Sequence, residues 1–268
     1  MEAGKRPIGV FDSGVGGLTV AHAIRQSLPG ERIIYFGDTA HLPYGDKSEE
    51  AIRNYSRRIT EFLLGYDAKL VLIACNSASA SAYESLLEEY GDRTLILDVI
   101  NPVVEYVAAG NYKKLGVIGT KRTINSGTYE KKIHDAAPAI SVFSLATPLF
   151  VPMIEEGFIF DDISNAIIRT YLSDKGLNDV DALILGCTHY PIIRNQISKF
   201  FNFGIEVVDS AKIVASRLRE ILEKNNLLNN SRAEEDLFFV SDITDYFEKI
   251  ARMFFESNIN LQKADIWR

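Results

Sequence analysis

Two cysteines are the only ones in the chain, and each closes a short apolar run. One run reads LVLIACNSAS, with Cys75 after Val71, Leu72 and Ile73; the other reads ALILGCTHYP, with Cys187 after Leu183, Ile184 and Leu185. Matched thiols more than a hundred residues apart imply that two halves of the chain deliver like groups to one place. Chemistry with one thiol on each side of a substrate would need that arrangement. Each thiol falls at a strand end, where ligands bind in open α/β sheets. A helix is expected to follow each, and its N-terminus would favour the thiolate. Free cysteine is also a common core filler. The polar pairs that follow, Asn76-Ser77 and Thr188-His189, weigh toward function.

Other segments carry further polar groups. FDSGVGGLTV places Asp12, Ser13, Gly14, Gly16 and Gly17 in a strand-to-helix turn. Thr19 stands where a dinucleotide loop requires glycine, and the Gly-Lys-Ser/Thr ending of a nucleotide loop is missing. Such a turn can still offer backbone N–H groups to an anion such as a carboxylate, with Asp12 at its mouth; a tight turn that binds nothing is the alternative. In YFGDTAHLPYGDKS, Asp38, Tyr44 and Gly45 occupy a turn-rich stretch suited to a binding loop, or one in which Asp38 merely caps a turn. Glu155 follows the apolar run in FVPMIEEG and on its own reads as a helix-face carboxylate. Metal is not expected, because no C-x-x-C or H-x-x-x-H pair occurs and there are only four histidines. A single cysteine nucleophile with His189 as base stays open, but it leaves the second matched thiol without a task.

Positioning these groups requires strands that end together. Short runs at Ile8–Phe11, Arg32–Phe36, Leu70–Ile73, Thr94–Leu97, Leu115–Ile118, Ser141–Leu145, Ala182–Leu185, Glu206–Val208 and Leu237–Val240 read as strands. Many are continuously apolar, as parallel strands covered on both faces should be. Helix-period segments lie between them. From Ser48 to Leu64, Ser48 can cap, Glu49 and Glu50 suit the positive end, and Ile52, Tyr55, Ile59 and Phe62 form a stripe, with Gly65 as C-cap. The alternation predicts an α/β fold with mainly parallel sheets. Ile8–Ser13 (IGVFDS) is echoed by Leu115–Thr120 (LGVIGT) at an offset of about 107, near the cysteine offset of about 112, so two similar halves are expected. The polar tract Lys224–Asp236 reads as a surface loop, followed by a strand and a helix from Ile243 that return to the first half.

Bulk composition narrows the class. A chain of 268 residues that is 47% hydrophobic fits an ordinary globular protein of one large or two moderate domains. Its net charge of −7 argues against nucleic acid or an anionic membrane as main partner. No apolar run approaches the roughly 20 residues of a membrane helix. The N-terminus has no signal-peptide pattern, so the cytoplasm and free thiols are expected.

Taken together, IGVFDSGVGG (8–17), YFGDTAHLPYG (35–45), ACNSAS (74–79), PLFVPMIEEG (148–157) and LGCTHYP (185–191) resemble the glutamate racemases of the cofactor-independent aspartate/glutamate racemase superfamily. The motifs span most of the chain in the expected order. Ser77 stands where the family usually carries threonine, and the hydroxyl is kept.

The resemblance implies two pseudo-symmetric α/β domains, 1–98 plus 209–268 and 99–208, enclosing L- or D-glutamate between them. It implies no cofactor and no metal, a homodimer, and D-glutamate supplied to peptidoglycan synthesis, hence to cell-wall biogenesis and cell shape. Cys75 would act on D-glutamate and Cys187 on L-glutamate, with Asp12 and Glu155 as neighbouring carboxylates and His189 supporting Cys187. Asp12, Ser13, Asp38, Tyr44, Gly45, Asn76, Ser77, Thr188 and His189 would contact substrate, and Thr120 and Thr123 could hold a carboxylate. Inversion at carbon needs acid and base on opposite faces, which two facing thiols could supply. Without an electron sink, expulsion of water and amides aimed at the developing charge must stabilise the intermediate. Rival readings are an aspartate or hydantoin racemase, a non-catalytic amino-acid-binding protein, and a cysteine-nucleophile hydrolase.

Overall fold

Strand β1 (Ile8–Asp12) is buried along its whole length, as its unbroken apolar run requires of a central parallel strand. The computed structural model that contains it describes residues 2–231, 234–254 and 261–267. In chain order follow α1 (Leu18–Ser27), β2 (Ile33–Gly37), α2 (Glu49–Gly65), β3 (Leu70–Ile73), α3 (Asn76–Tyr90), β4 (Leu95–Asp98) and α4 (Ile100–Ala108). Next come β5 (Lys114–Gly119), α5 (Lys121–Asn125), α6 (Thr128–Ala136), β6 (Ser141–Ala146), α7 (Phe150–Glu155), α8 (Asp162–Leu172), β7 (Ala182–Gly186), α9 (Arg194–Phe200) and β8 (Glu206–Val208). The chain closes with α10 (Ser210–Lys224), β9 (Leu237–Val240), α11 (Asp245–Phe254) and β10 (Leu261–Lys263).

These strands form two parallel sheets, ordered β10-β9-β2-β1-β3-β4 and β6-β5-β7-β8. The order β2-β1-β3-β4 in the first is reproduced as β6-β5-β7-β8 in the second. The sequence echo between the β1 and β5 segments therefore marks topologically equivalent strands, and the cysteines follow the equivalent strands β3 and β7. Register aligns the C-terminal ends: Phe11 pairs with Ile73 and Asp12 with Gly37 in one sheet. Gly119 pairs with both Ala146 and Gly186 in the other. Ser13, Asp38 and Cys75 thus leave one edge together, and Thr120, Thr147 and Cys187 leave the other.

Each sheet buries both faces, and the two-residue repeat of a strand divides its side chains between them. Val10, Tyr35 and Leu72 pack with Leu18 and Ile24 of α1 and Val214 and Leu218 of α10. Phe11, Ile34 and Ile73 pack on the other face with Ile52 and Ile59 of α2 and Ala78 and Leu86 of α3. In the second sheet Val117 and Ile184 meet α4 and α6. Ile118, Leu183 and Leu185 meet α7, α8 and α9. Truncating a fully buried strand leucine such as Leu72 would cost about 2–5 kcal/mol.

The nine expected strands are all present, displaced by at most one residue at either end. The Ser48 hydroxyl accepts from Ala51 N at 3.2 Å and opens α2 as expected. Gly65 is not the C-cap. It remains helical, Tyr66 caps, and the positive φ of 61° falls on Asp67. Two elements had no signal of their own, the edge strand β10 and the short helix α5. Within the polar tract, Arg232 and Ala233 lie outside the described residues.

Candidate active site

Both thiols line one narrow cavity between the sheets, each nearly buried, with Cys75 5% and Cys187 6% exposed. Its walls are Ser13, Leu42–Gly45, Cys75–Ser77, Thr120, Val151 and Gly186–His189. The free space is about 20 Å³, room for a single water. A wider chamber of about 210 Å³ adjoins it, sharing Pro43, Gly45, Thr120 and Val151 and reaching Glu155. A larger hollow of about 480 Å³ between α8 and α9 touches neither thiol.

The two thiol environments differ. Cys75 is the N-cap of α3, and its thiol donates to Ser13 Oγ at 3.7 Å. The helix end was expected to favour the thiolate; instead, burial together with the nearby Asp12 carboxylate pushes the thiol up to about 12. The Ala78 N–H and the Ser13 hydroxyl pull the other way and lose. Desolvation of a buried charge outweighs a helix terminus here. No α-helix follows Cys187 directly; a 3₁₀ turn (Tyr190–Ile193) leads into α9. Its sulfur instead lies 3.8 Å from His189 Nδ1, while His189 Nε2 lies 3.0 Å from Glu155 Oε1. Burial works against charging the His189 ring, but the partners Cys187 and Glu155 outweigh it and push the imidazole up to about 10. As imidazolium the ring donates from both nitrogens, one N–H to the sulfur and one to the carboxylate. Burial thus favours the protonated Cys75 thiol, whereas the Cys187 sulfur faces an imidazole ring held toward its charged form.

Asp12 is fully buried beneath the glycine turn rather than at its mouth. Its Oδ2 accepts from Gly14 N at 3.0 Å, and its Oδ1 accepts from the Thr188 hydroxyl at 3.4 Å. That second bond joins the two sheets. Gly16 lets them approach this closely: a Cβ there would overlap Thr188 Oγ1 and sit 2.6 Å from His189 Nδ1. Gly45 does the same on the other wall, where an added Cβ would lie 2.8 Å from Thr120 Cβ.

Three hydroxyls converge from both sheets. Ser77 Oγ is 2.9 Å from Thr120 Oγ1 and 3.3 Å from Thr123 Oγ1. Thr120 also caps α5 by accepting from Thr123 N. Asn76 is 2% exposed, and its Oδ1 accepts from the Tyr129 hydroxyl at 2.8 Å. Its Nδ2 is buried without a protein partner, in a residue that lines the cavity.

Asp38 was expected to touch substrate, but it does not line the cavity. It is fully buried and accepts from the Tyr44 hydroxyl (2.7 Å), from Ser241 Oγ (2.8 Å) and from His41 Nδ1. Tyr44 lines the cavity while its hydroxyl is committed to Asp38. Thr123 and Asp12 likewise sit behind the lining residues, while Glu155 lines the adjoining chamber. Sequence reading missed Leu42, Pro43, Val151 and Tyr129. Leu42 and Pro43 lie within the motif already singled out, whereas Tyr129 carries no local signal.

The family model described as Asp/Glu/Hydantoin racemase matches residues 16–218. A glutamate racemase from Chlorobaculum parvum is 43% identical over 250 residues, covering 92% of each chain. Among solved structures, glutamate racemase from Francisella tularensis in complex with D-glutamate superposes with a TM-score of 0.92 at 39% identity, covering 98% of this chain and 99% of that one. A glutamate racemase isoform from Bacillus anthracis gives a TM-score of 0.91 at 34% identity over 97% of each chain. The chain therefore belongs to the Asp/Glu/Hydantoin racemase family and, within it, to the glutamate racemases, which are amino-acid racemases.

Proposed function

We propose that the chain interconverts L- and D-glutamate by cofactor-independent proton transfer between two thiols, and that the D-glutamate feeds peptidoglycan synthesis. The observation that carries this reading is that Cys75 and Cys187, at equivalent strand ends of two sheets, line the same cavity. Starting from L-glutamate, the Cys187 thiolate takes the α-proton and the C–H electron pair moves onto the carboxylate. The Cys75 thiol then delivers its own proton to the opposite face of the α-carbon. D-glutamate leaves behind a Cys187 thiol and a Cys75 thiolate, and exchange with solvent restores the starting form. The reverse reaction begins from that second form.

The polar walls fit this chemistry. Asn76 Nδ2 and the hydroxyls of Ser77, Thr120 and Thr123 are suited to a carboxylate whose charge grows in the transition state. Thiol carbon acids and bases gain from a dry site, and the narrow cavity excludes bulk water. It is also too small for an amino acid, so the two halves must part to admit one, with the adjoining chamber as the way in.

The halves are assigned as domains 1–98 plus 209–268 and 99–208. In support, β4 and β5 belong to different sheets, while α10 packs on α1. A cytoplasmic location and a homodimeric assembly belong to the same proposal and rest on resemblance.

Purified protein incubated with a chelator and without pyridoxal phosphate should drive the ellipticity of either glutamate enantiomer to zero. An unchanged signal from both would sink the assignment. Parallel incubations with aspartate and hydantoins distinguish the neighbouring substrate classes.

A further inference from the structure

The loop that walls the cavity is braced from behind by the end of the chain. Residues Leu42–Gly45 form that wall, and Tyr44 hangs from the buried Asp38 carboxylate by its hydroxyl. Asp38 also holds His41, whose Nδ1 lies 2.8 and 2.9 Å from its two oxygens. The His41 ring stacks on Tyr55 of α2, with centroids 4.3 Å apart and planes at 24°. Trp267 then closes the cluster edge-on against both rings, 4.5 Å from His41 and 5.4 Å from Tyr55. Its backbone is tied down nearby: Arg58 Nη1 donates to Ile266 O at 3.2 Å, and Ala264 N donates to Val240 O at 2.9 Å.

We propose that Trp267 is a positioning residue for glutamate, acting through His41, Asp38 and Tyr44 on the wall that faces Cys75. This rests on the reading of the cavity as the glutamate site. Trp267 is not among the residues that line the cavity. Its indole stands edge-on beside the His41–Tyr55 stack, in contact with both rings, and so limits how the His41 ring can shift on Tyr55. With the Asp38–His41 bond loosened, the buried carboxylate loses one of its three side-chain donors and takes the Tyr44 hydroxyl with it. The ring contact is edge-to-face, a geometry any aromatic side chain can supply. Phenylalanine at 267 should therefore preserve the brace, and alanine should not. Misplacement of a substrate-positioning wall by an ångström is enough to impair turnover strongly.

The test compares full-length wild type, Trp267→Ala, Trp267→Phe and Arg58→Ala, with kcat and KM measured from each enantiomer. The expected result for Trp267→Ala is a fall in kcat/KM of about tenfold or more, carried mainly by a raised KM, with the far-UV spectrum kept. Trp267→Phe should recover to within about threefold of wild type. Arg58→Ala, an exposed substitution that keeps the indole and removes its anchor, should raise KM in the same direction by about threefold. Wild-type kinetics in Trp267→Ala, or equal impairment of the alanine and phenylalanine variants, would overturn the proposal. If Trp267→Ala fails to fold, Arg58→Ala decides, and an unchanged KM there counts against it. Absence of glutamate racemisation in the wild type is a separate result; it removes the underlying reading, and the proposal falls with it.

Discussion

His189 Nε2 lies 3.0 Å from Glu155 Oε1 while the other ring nitrogen faces Cys187 Sγ at 3.8 Å. One imidazole thus links a partly exposed carboxylate to a buried thiol. Glu155→Gln should keep the hydrogen-bond geometry and remove the charge, lowering the His189 pKa from about 10. The alkaline limb of kcat/KM is then expected to move to lower pH. The two enantiomers have equal energy, so kcat/KM must fall equally in both directions, by about tenfold at pH 8–9. An alkaline limb that stays in place would show that Glu155 does not hold the ring charged.

The two thiols should be separately indispensable. Cys75→Ala and Cys187→Ala are each expected to reduce racemisation by 10³-fold or more, in line with the loss of an acid–base group that has no substitute. α-Proton exchange in D₂O, started from each enantiomer, reads the defect directly. Full racemisation by either variant would remove the two-thiol mechanism.

Folding stability should decline as pH rises above the ordinary histidine range. His189 has a folded pKa of about 10 against an unfolded value near 6.5. Its contribution is complete below about pH 6.5 and is lost as pH rises through 10. Cys75 adds to the slope: above pH 9 the unfolded thiol ionises while the folded one keeps its proton to about 12. Urea midpoints measured from pH 6 to 10 should therefore fall steadily, and His189→Asn should flatten the portion below pH 9. A flat wild-type profile contradicts the charged ring.

Asn76 offers the unpartnered donor of the site. Asn76→Ala should raise KM for both enantiomers by about tenfold or more, the range for one hydrogen bond to a charged group. Direct binding of D-glutamate measured by calorimetry would check it. Unchanged affinity would mean that Nδ2 faces something other than a carboxylate.

Gly16 marks the tightest approach between the halves. Gly16→Ala would push Thr188 and His189 away from the α1 turn. Turnover is expected to fall about 100-fold, the scale of an ångström's misplacement, with little change in far-UV signal. Wild-type rates in this variant would show that the halves tolerate a wider gap.

Much of this architecture was written locally. Short continuous apolar runs such as Leu70–Ile73, bounded by polar and turn residues, fit doubly covered strands, and the sheets were legible from them. The small-polar sequences after them identified Cys75, Asn76, Cys187 and His189 as strand-end groups. What was not legible depends on distance through space. Asp38 belongs to a motif yet spends its oxygens on Tyr44, His41 and Ser241, and Ser241 lies about two hundred residues away. Tyr129 reaches Asn76 from a helix of the other half, and no local pattern announces that contact. The upward push on the Cys75 thiol was not legible, because a helix terminus is visible in sequence whereas burial and the placement of Asp12 are not.

The repeated strand order has a consequence for chirality. Related halves are superposed by rotation, and no rotation of L-amino-acid chains produces a mirror image. Enantiomers are related by reflection. A duplicated fold can therefore set like sulfurs on either side of a carbon, but it cannot offer mirror-image surroundings to the two forms of substrate. The unequal neighbours of the sulfurs, Ser13 and Asp12 on one side and His189 and Glu155 on the other, are the shape this constraint takes. One side chain and one carboxylate must be held in a single place while only the hydrogen changes face, and a perfectly symmetric pair of walls could not do that.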